Sequence, residues 1–509
     1  MIYSTLVRKL LVFPCLAALL LGAACNKNNG DNNNPGGDDS PTPPGPVEDP
    51  SVCVDAPILM PTSGKPTLGT AGKIIVTKTD DGSQVDSIDL ADLATVTIRD
   101  DGQMIPKEQI TRDTKLNTFH DVLTSGGRYR VVHYTPLRAT DNGLEIRLHT
   151  GVLTFDTEYK VTVEASVTEG QTEAWETTFK TKKKPGSTIM PDLIVAQNGK
   201  QDFCTVGGAL NYASTLGKST AITIQVTPGT YTDMLYLRDK DNVTVKGSGI
   251  LRTYAVIAYA NNESYESGSG SASTSKPVLG QAIGASGGRG IFLVENCDNL
   301  TLEKLTIKNT FGQLKGQAET IYFNSGSNAH KLTIEDCELW SFQDTFLCKG
   351  LVYVYKSLIA GHCDYIWGYP KACLFEDCEI CSLEAGYIVQ ARIQGQNDKG
   401  FVFLNCQLTA GDDAPYGKTY LARSGGDTNY YDNVTFIGCT MYPVIHSQGW
   451  YNNPRPNPSM PNATYGWKEY GSKDKDGNDI YGHNSYGCYL TEETANNYSS
   501  KEAVLGADF

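Results

Sequence analysis

The sequence predicts an all-β protein in which a small antiparallel β-sandwich precedes a stacked β-solenoid of parallel coils. Three observations carry this expectation. Between about residues 53 and 184, short runs alternate apolar and polar residues with period two, broken by turn-forming residues. Between residues 301 and 441, six segments share one pattern and align without gaps, at the irregular spacing expected when strands repeat and the loops between them vary. At 509 residues the chain is also too long for one ordinary core, so more than one folded unit is expected.

Residues 1–24 read as an export signal, because Arg8 and Lys9 precede the apolar run Leu10 to Leu21 and Gly22-Ala23-Ala24 stand just before Cys25. That run is shorter than a membrane-spanning helix requires. Leu21 to Cys25 resembles a bacterial lipoprotein box, with Gly22 where a larger aliphatic or small β-branched residue is usual. The resemblance implies a lipid-anchored Cys25 on an exported protein of the bacterial outer membrane, at the cell surface or in the periplasm; plain cleavage after Ala24 is the alternative. Residues 26–51 are almost wholly Asn, Asp, Gly and Pro, so residues 25–52 are read as the lipidated cysteine and a disordered stalk. The formal net charge of −14 argues against nucleic acid as a partner. The membrane is expected to be met through the lipid anchor alone, and the protein to be a monomer.

In residues 53–184 the alternating runs are Lys73 to Thr79, Thr95 to Arg99, Arg128 to Tyr134, Leu144 to His149, Tyr159 to Ala165 and Trp175 to Lys180. Turns such as Ser125-Gly126-Gly127 and Asp141-Asn142-Gly143 separate them. The order resembles bacterial Ig-like modules that precede exported carbohydrate-active domains. No catalytic constellation falls here, which favours a spacer or accessory role over carbohydrate binding. Lys182 to Gly186 reads as a solvated interdomain linker. Residues 185–509 then form the solenoid. An amphipathic segment from Thr205 to Leu216 is expected to cap its first coil, whose open end would otherwise expose the core. Residues 262–275 and 452–463 read as long excursions from its body.

The six repeats are 301–307, 333–339, 353–359, 374–380, 402–408 and 435–441. Their fifth positions are Leu305, Cys337, Ser357, Cys378, Cys406 and Cys439, separated by 32, 20, 21, 28 and 33 residues. The chain holds 14 cysteines. Four of them share this column among inward aliphatics, which predicts a ladder of buried thiols rather than a disulfide framework. Cys378 and Cys381 stand alone in their Cys-x-x-Cys spacing, so no zinc site is expected. Asp344 lies seven residues after Cys337, and Asp364 seven after Ser357. Equal register in neighbouring coils puts the two carboxyls side by side, about 4.8 Å apart in coil spacing. Such a pair can serve as an acid and a nucleophile.

Several strings resemble the pectin methylesterase family. Asp192 to Gln197, Asp202 to Val206 and Val226 to Tyr231 are similar to that family's opening. Gln317-Ala318-Glu319-Thr320-Ile321 resembles its Gln-Ala-x-x-Leu motif, Gln343-Asp344-Thr345 its Gln-Asp-Thr, and Asp364 to Gly368 its Asp-Phe-x-Phe-Gly. Leu421-Ala422-Arg423 resembles the start of Leu-Gly-Arg-Pro-Trp. The resemblance covers roughly residues 190–509 and implies a right-handed parallel β-helix that hydrolyses galacturonate methyl esters in pectin, with no cofactor and no metal. It implies that Asp364 is the nucleophile, Asp344 the general acid and base, Gln317 and Gln343 oxyanion donors, Arg423 the charge beside the nucleophile, and Trp367 a wall of the sugar groove. His362 is read as structural or substrate-contacting, Tyr365 as a core aromatic, and Trp367 as either a core aromatic or that groove wall; Arg423 is also expected to contact substrate.

One departure stands out. Ser424-Gly425-Gly426 follows Arg423, so the family's Pro-Trp and its aromatic wall are missing. This keeps alternatives open: an esterase or thioesterase acting on another ester, pectate-lyase-like chemistry, or a non-catalytic polysaccharide-binding module.

Overall fold

The computed structural model describes residues 50–91, 97–98, 104–105, 120–186, 192–263, 273, 288–311 and 316–509. The expected signal, Cys25 and nearly all of the stalk lie outside these residues, as do most of residues 262–275. Val52 to Phe509 form one compact unit.

Its N-terminal part contains two antiparallel sheets. One orders the strands Ile58–Pro61, Gly143–Ile146 and Leu137–Thr140; the other orders Trp175–Lys180, Glu158–Val163, Lys73–Lys78 and Gln84–Asp89. Alternation sends Ile74, Val76, Tyr159, Val161 and Val163 from one sheet into the same buried cluster as Ile58, Met60, Leu144 and Ile146 from the other. The sequence reading missed Ile58–Pro61, Gln84–Asp89 and Leu137–Thr140 as strands, because they are short or carry polar residues at both parities.

A hairpin, His120–Ser125 with Arg128–His133, takes a different allegiance. Its turn residues Gly126 and Gly127 both have positive φ, 54° and 68°, as a two-residue hairpin turn demands. Leu123 and Val132 join the core of the solenoid rather than that of the two sheets. Arg130 is fully buried, and its guanidinium donates to the carbonyls of Leu235 at 2.6 Å, Ile291 at 3.1 Å and Gly288 at 3.2 Å, and to that of Gly290. The expectation of a solvated linker at Lys182 is corrected: its ammonium donates to the carbonyls of Gly199 at 2.6 Å and Gln201 at 2.7 Å, which fastens the joint.

From Asp192 the chain winds into one 24-stranded sheet whose pairings are parallel, each strand bonding to its equivalent in the next coil. The helix Val206–Ser214 closes the first coil, N-capped by the Thr205 hydroxyl, with Val206, Ala209, Leu210 and Ala213 buried beneath it. The repeat register has a backbone cause. The residue before each column position, Lys304, Asp336, Lys356, Asp377, Asn405 and Gly438, lies in the left-handed region with φ between 47° and 61°. Each coil therefore turns its corner at the same place. The next residue points inward, and all six column side chains are buried. Gly471 and Ser472 extend the column by one further coil, as the pairing of Ile437 with Tyr470 shows. The described cysteines are free thiols. Cys337, Cys378, Cys406 and Cys439 each donate to the carbonyl two residues back, closing the corner from inside. Deeper in, Phe375, Phe403 and Phe436 stack at 4.7 and 4.5 Å. Such contacts add about 0.5–1.5 kcal/mol per pair beyond area burial.

Candidate active site

Gln317, Gln343 and Cys363 stack as neighbours in three successive coils. The residues that follow Gln343 and Cys363 are Asp344 and Asp364, and the Asp344 amide donates to the Cys363 carbonyl at 3.0 Å. Below this column, the Thr320 hydroxyl donates to the Thr345 carbonyl at 2.8 Å and the Thr345 hydroxyl to the Ala360 carbonyl at 2.9 Å. A buried ladder of threonines thus holds the floor on which both carboxyls sit. Asp344 and Asp364 share a left-handed backbone, φ 62° and 48°, which aspartate tolerates better than most residues. Backbones also crowd here. Gly368 has φ 132°, and a Cβ there would stand 2.3 Å from the Cys348 carbonyl oxygen.

The two carboxyls have unlike surroundings. Asp364 is 4% exposed; it accepts from Arg423 Nε on Oδ1 at 2.7 Å, from Arg423 Nη2 on Oδ2, and from the Gln390 amide on Oδ2 at 2.9 Å. A forked guanidinium and an amide donor stabilise the ionised form. Asp344 is 3% exposed and, among the described residues, has its cationic contact with Arg289 Nη2 at 3.1 Å. Burial, then the charge of Glu319, push its carboxyl well above the usual range against the pull of Arg289, and Asp364 adds to the rise. The forked ion pair thus favours charge at Asp364, and burial beside Glu319 favours the acid form at Asp344.

Gln317 and Gln343 are half-buried beside the pair. The Gln317 side-chain carbonyl accepts from Arg289 Nη1, which leaves its amide nitrogen to face elsewhere. Of the two readings of Trp367, core aromatic or groove wall, its burial fits the first and corrects the second: the indole is 5% exposed, with the guanidinium groups of Arg392 and Arg289 over its ring at 5.0 and 5.7 Å. It is a floor for cations. Half-exposed aromatics stand nearby instead. Tyr369 and Tyr430 meet at 5.3 Å, and Tyr387 lies under Arg423 with Tyr420 and Tyr451 beyond it. Burial holds His362 below the usual imidazole range and therefore neutral, and Tyr365 is a core residue bonded to Ser382 at 3.1 Å. Burial and the Asp364 charge push the Cys363 thiol up to about 12, so it does not compete as a nucleophile at neutral pH.

Arg289, Glu319, Gln390 and Arg392 are site residues that the sequence reading passed over. Only Glu319 stood inside a string already singled out. Away from this site, Cys53, Asp55 and Cys204 gather their sulfur and carboxylate atoms within 4.8 Å of one another. The Asp55 carboxylate is already committed to the Cys204 and Thr205 amides and the Thr205 hydroxyl, where it holds the N-cap residue of the helix Val206–Ser214, and the Cys53 thiol donates to the Gly199 and Gln201 carbonyls.

A family model described as pectinesterase matches residues 192–507. The chain belongs to the pectinesterase family. It is 29% identical over 261 residues to Pectinesterase 31 of Arabidopsis thaliana, a match spanning 51% of this chain and 76% of that one. To the probable pectinesterase/pectinesterase inhibitor 64 of the same plant it is 28% identical over 286 residues, spanning 52% of this chain and 43% of the relative. The chain therefore spans under half the length of that second protein. Among solved structures, the pectin methylesterase from carrot aligns with a TM-score of 0.51 at 20% identity, covering 64% of this chain and 96% of that one. The expected parallel β-helix is the fold found. Within this pectinesterase-family chain, the two carboxyls, both glutamines and Arg423 converge on one patch of neighbouring coils.

Proposed function

We propose that the chain hydrolyses the C6 methyl esters of galacturonate units in pectin and releases methanol. Family membership supports the reaction class, and the observation that carries the roles is the unequal environment of Asp344 and Asp364. The ionised Asp364 oxygen attacks the ester carbonyl carbon, and the negative charge moves to the carbonyl oxygen, where the amide donors of Gln317 and Gln343 stabilise it. As the bond to methoxide breaks, Asp344 delivers its proton and methanol leaves, with the galacturonyl group held on Asp364. Asp344, now a carboxylate, takes a proton from water; the hydroxide attacks the same carbon, the bond to Asp364 breaks, and both side chains return to their starting forms. Arg423 neutralises Asp364 before and after each attack.

The Tyr369–Tyr430 pair and the tyrosines beside Arg423 offer sugar-stacking surface in place of the absent Pro-Trp. The N-terminal sheets act as an Ig-like spacer, and the protein is exported and tethered to the outer membrane through a lipid on Cys25, working as a monomer. A methanol-release assay on highly esterified pectin, with Asp364→Asn as control, tests the function: no methanol from the unmodified protein rejects it. Mass spectrometry of the mature N-terminus tests the tether, and a free Cys25 amine without diacylglycerol rejects that.

A further inference from the structure

Arg289 and Glu319 are charged residues within the fold, neither in the repeat pattern nor among the residues assigned a step above. Arg289 is 6% exposed and Glu319 fully buried. Burying both is costly unless each is paired and hydrogen-bonded, and here the pairing is extensive. Arg289 Nε lies 3.0 Å from both oxygens of Glu319; Nη1 holds the Gln317 side-chain carbonyl; Nη2 holds Asp344 Oδ2 at 3.1 Å. One planar group thus touches a prospective oxyanion donor and the prospective acid at the same time.

We propose that Arg289 and Glu319 are positioning residues for ester cleavage: the guanidinium fixes the Gln317 amide and the Asp344 carboxyl in one arrangement, and Glu319 absorbs its charge so that Asp344 remains an acid. This rests on the function proposed above and assigns a division of labour within it. The Arg289 charge, unopposed, would stabilise Asp344 as a carboxylate and cost it its use as a proton donor. Glu319 prevents this. Burial raises both carboxyls, Asp344 the more strongly, and Glu319 accepts from Nε on both of its oxygens, so the shared proton favours Asp344. By accepting from Arg289, the Gln317 carbonyl also fixes which way that amide faces. Its N–H group is then presented to the substrate oxygen without having to choose a rotamer during the reaction.

The groups facing Asp344 set the sign of the test. They are Arg289, Glu319 and, through Arg289 at 3.5 Å, the exposed Glu263 on one side, with Asp364, Arg423, Arg392 and the Cys363 thiol on the other. Glu319→Gln keeps shape and hydrogen bonding but frees the guanidinium charge for Asp344, which lowers the proton affinity of that carboxyl. Activity needs Asp344 protonated, so the alkaline limb of the kcat profile moves to lower pH, by about one pH unit. Esters with a phenolic leaving group, which need less protonation on departure, recover most of the loss at neutral pH. Arg289→Lys keeps the charge but cannot hold three partners, so kcat falls about 10-fold or more with KM little changed.

The measurement is methanol release against pH for the full chain and these variants, with thermal unfolding to establish that each is folded. An inactive unmodified protein rejects the proposed function itself. An active one whose Glu319→Gln variant is slower at every pH with an unmoved alkaline limb overturns the positioning role and leaves Glu319 merely structural. Should Glu319→Gln fail to fold, Glu263→Gln on the exposed partner is decisive: a smaller acidward movement supports the assignment, and an unmoved limb overturns it.

Discussion

Arg423 and Asp364, 59 residues apart in sequence, meet through a forked contact, Nε to Oδ1 at 2.7 Å and Nη2 to Oδ2. The carboxylate is therefore oriented, and both of its oxygens have donors before substrate arrives. Asp364→Asn keeps size but can neither accept both N–H groups nor act as a carboxylate nucleophile. Methanol release should fall at least ~10³-fold, while binding of a pectin oligosaccharide measured by calorimetry is retained. Near-normal release would mean that the nucleophile lies elsewhere.

Lysine at position 423 retains the charge but loses the fork. Arg423→Lys is expected to lower kcat about 10- to 100-fold, with a smaller effect on KM, because a point charge does not fix the plane of the carboxylate. Equal kcat values in the two proteins would reduce Arg423 to a surface ion pair.

Asp344 delivers a proton in the first half of the reaction and accepts one in the second. Asp344→Asn should impair methyl esters strongly and phenyl esters much less, since a phenolate leaves without help. In the unmodified protein, turnover should decline as pH rises through the elevated Asp344 range, the acid form being lost there. A rate equally depressed for both ester types, or turnover that rises steadily with pH, would contradict the acid role.

Lys468 supplies a stability test far from the chemistry. It is fully buried, donates to the Gly466 carbonyl at 2.7 Å and lies 5.4 Å from the Tyr498 ring centre, and burial pushes its ammonium down to about 7 from 10.5. The unfolded chain holds this proton more tightly, so unfolding takes up a proton between pH 7 and 10.5 and the contribution of Lys468 to stability rises with pH across that window. Lys468→Met should remove that rise and stabilise the protein at pH 7 by on the order of 2–4 kcal/mol. Denaturant titrations at pH 7 and 10 check it; an unchanged difference between the two would refute the buried-cation account.

The column thiols provide a further check. Cys337, Cys378, Cys406 and Cys439 are at most 1% exposed. They should resist iodoacetamide in the folded protein and react fully after unfolding without a reductant. Labelling that requires a reductant would show that they are bridged.

The coil register was legible because a backbone demand repeats. Lys304, Asp336, Lys356, Asp377, Asn405 and Gly438 share a left-handed corner, and the inward residue after each makes the column visible. From that register followed the juxtaposition of Asp344 and Asp364. Arg289 was not legible, since it sits in a Gly-rich stretch that reads as loop, and a charged residue defaults to solvent in any local reading. Glu319 was in view, but nothing in its neighbours along the chain says that a cation 30 residues earlier will bury itself against it. The occlusion of Trp367 by Arg392 and Arg289 is likewise a product of coil stacking. So is the hairpin at residues 120–133: the alternation from Arg128 to Tyr134 announced one of its strands, but neither the partner strand His120–Ser125 nor which core would take Leu123 and Val132.

Coil length has a consequence of its own. The coils from Cys337 to Ser357 and from Ser357 to Cys378 are 20 and 21 residues long, against 32 before them and 28 and 33 after. These lean coils carry Asp344 and Asp364. Part of their neighbours' surplus falls just ahead of the catalytic column: three extra residues enter between the pairs Gly361–Ser382 and Cys363–Tyr387, and residues 411–418 enter before Thr419. Insertions there build up the banks of the site without displacing its bed. Evolution, or an engineer, can therefore lengthen or trim the segment at 411–418 to retune which polymer is admitted, while the rungs bearing the two aspartates keep their alignment.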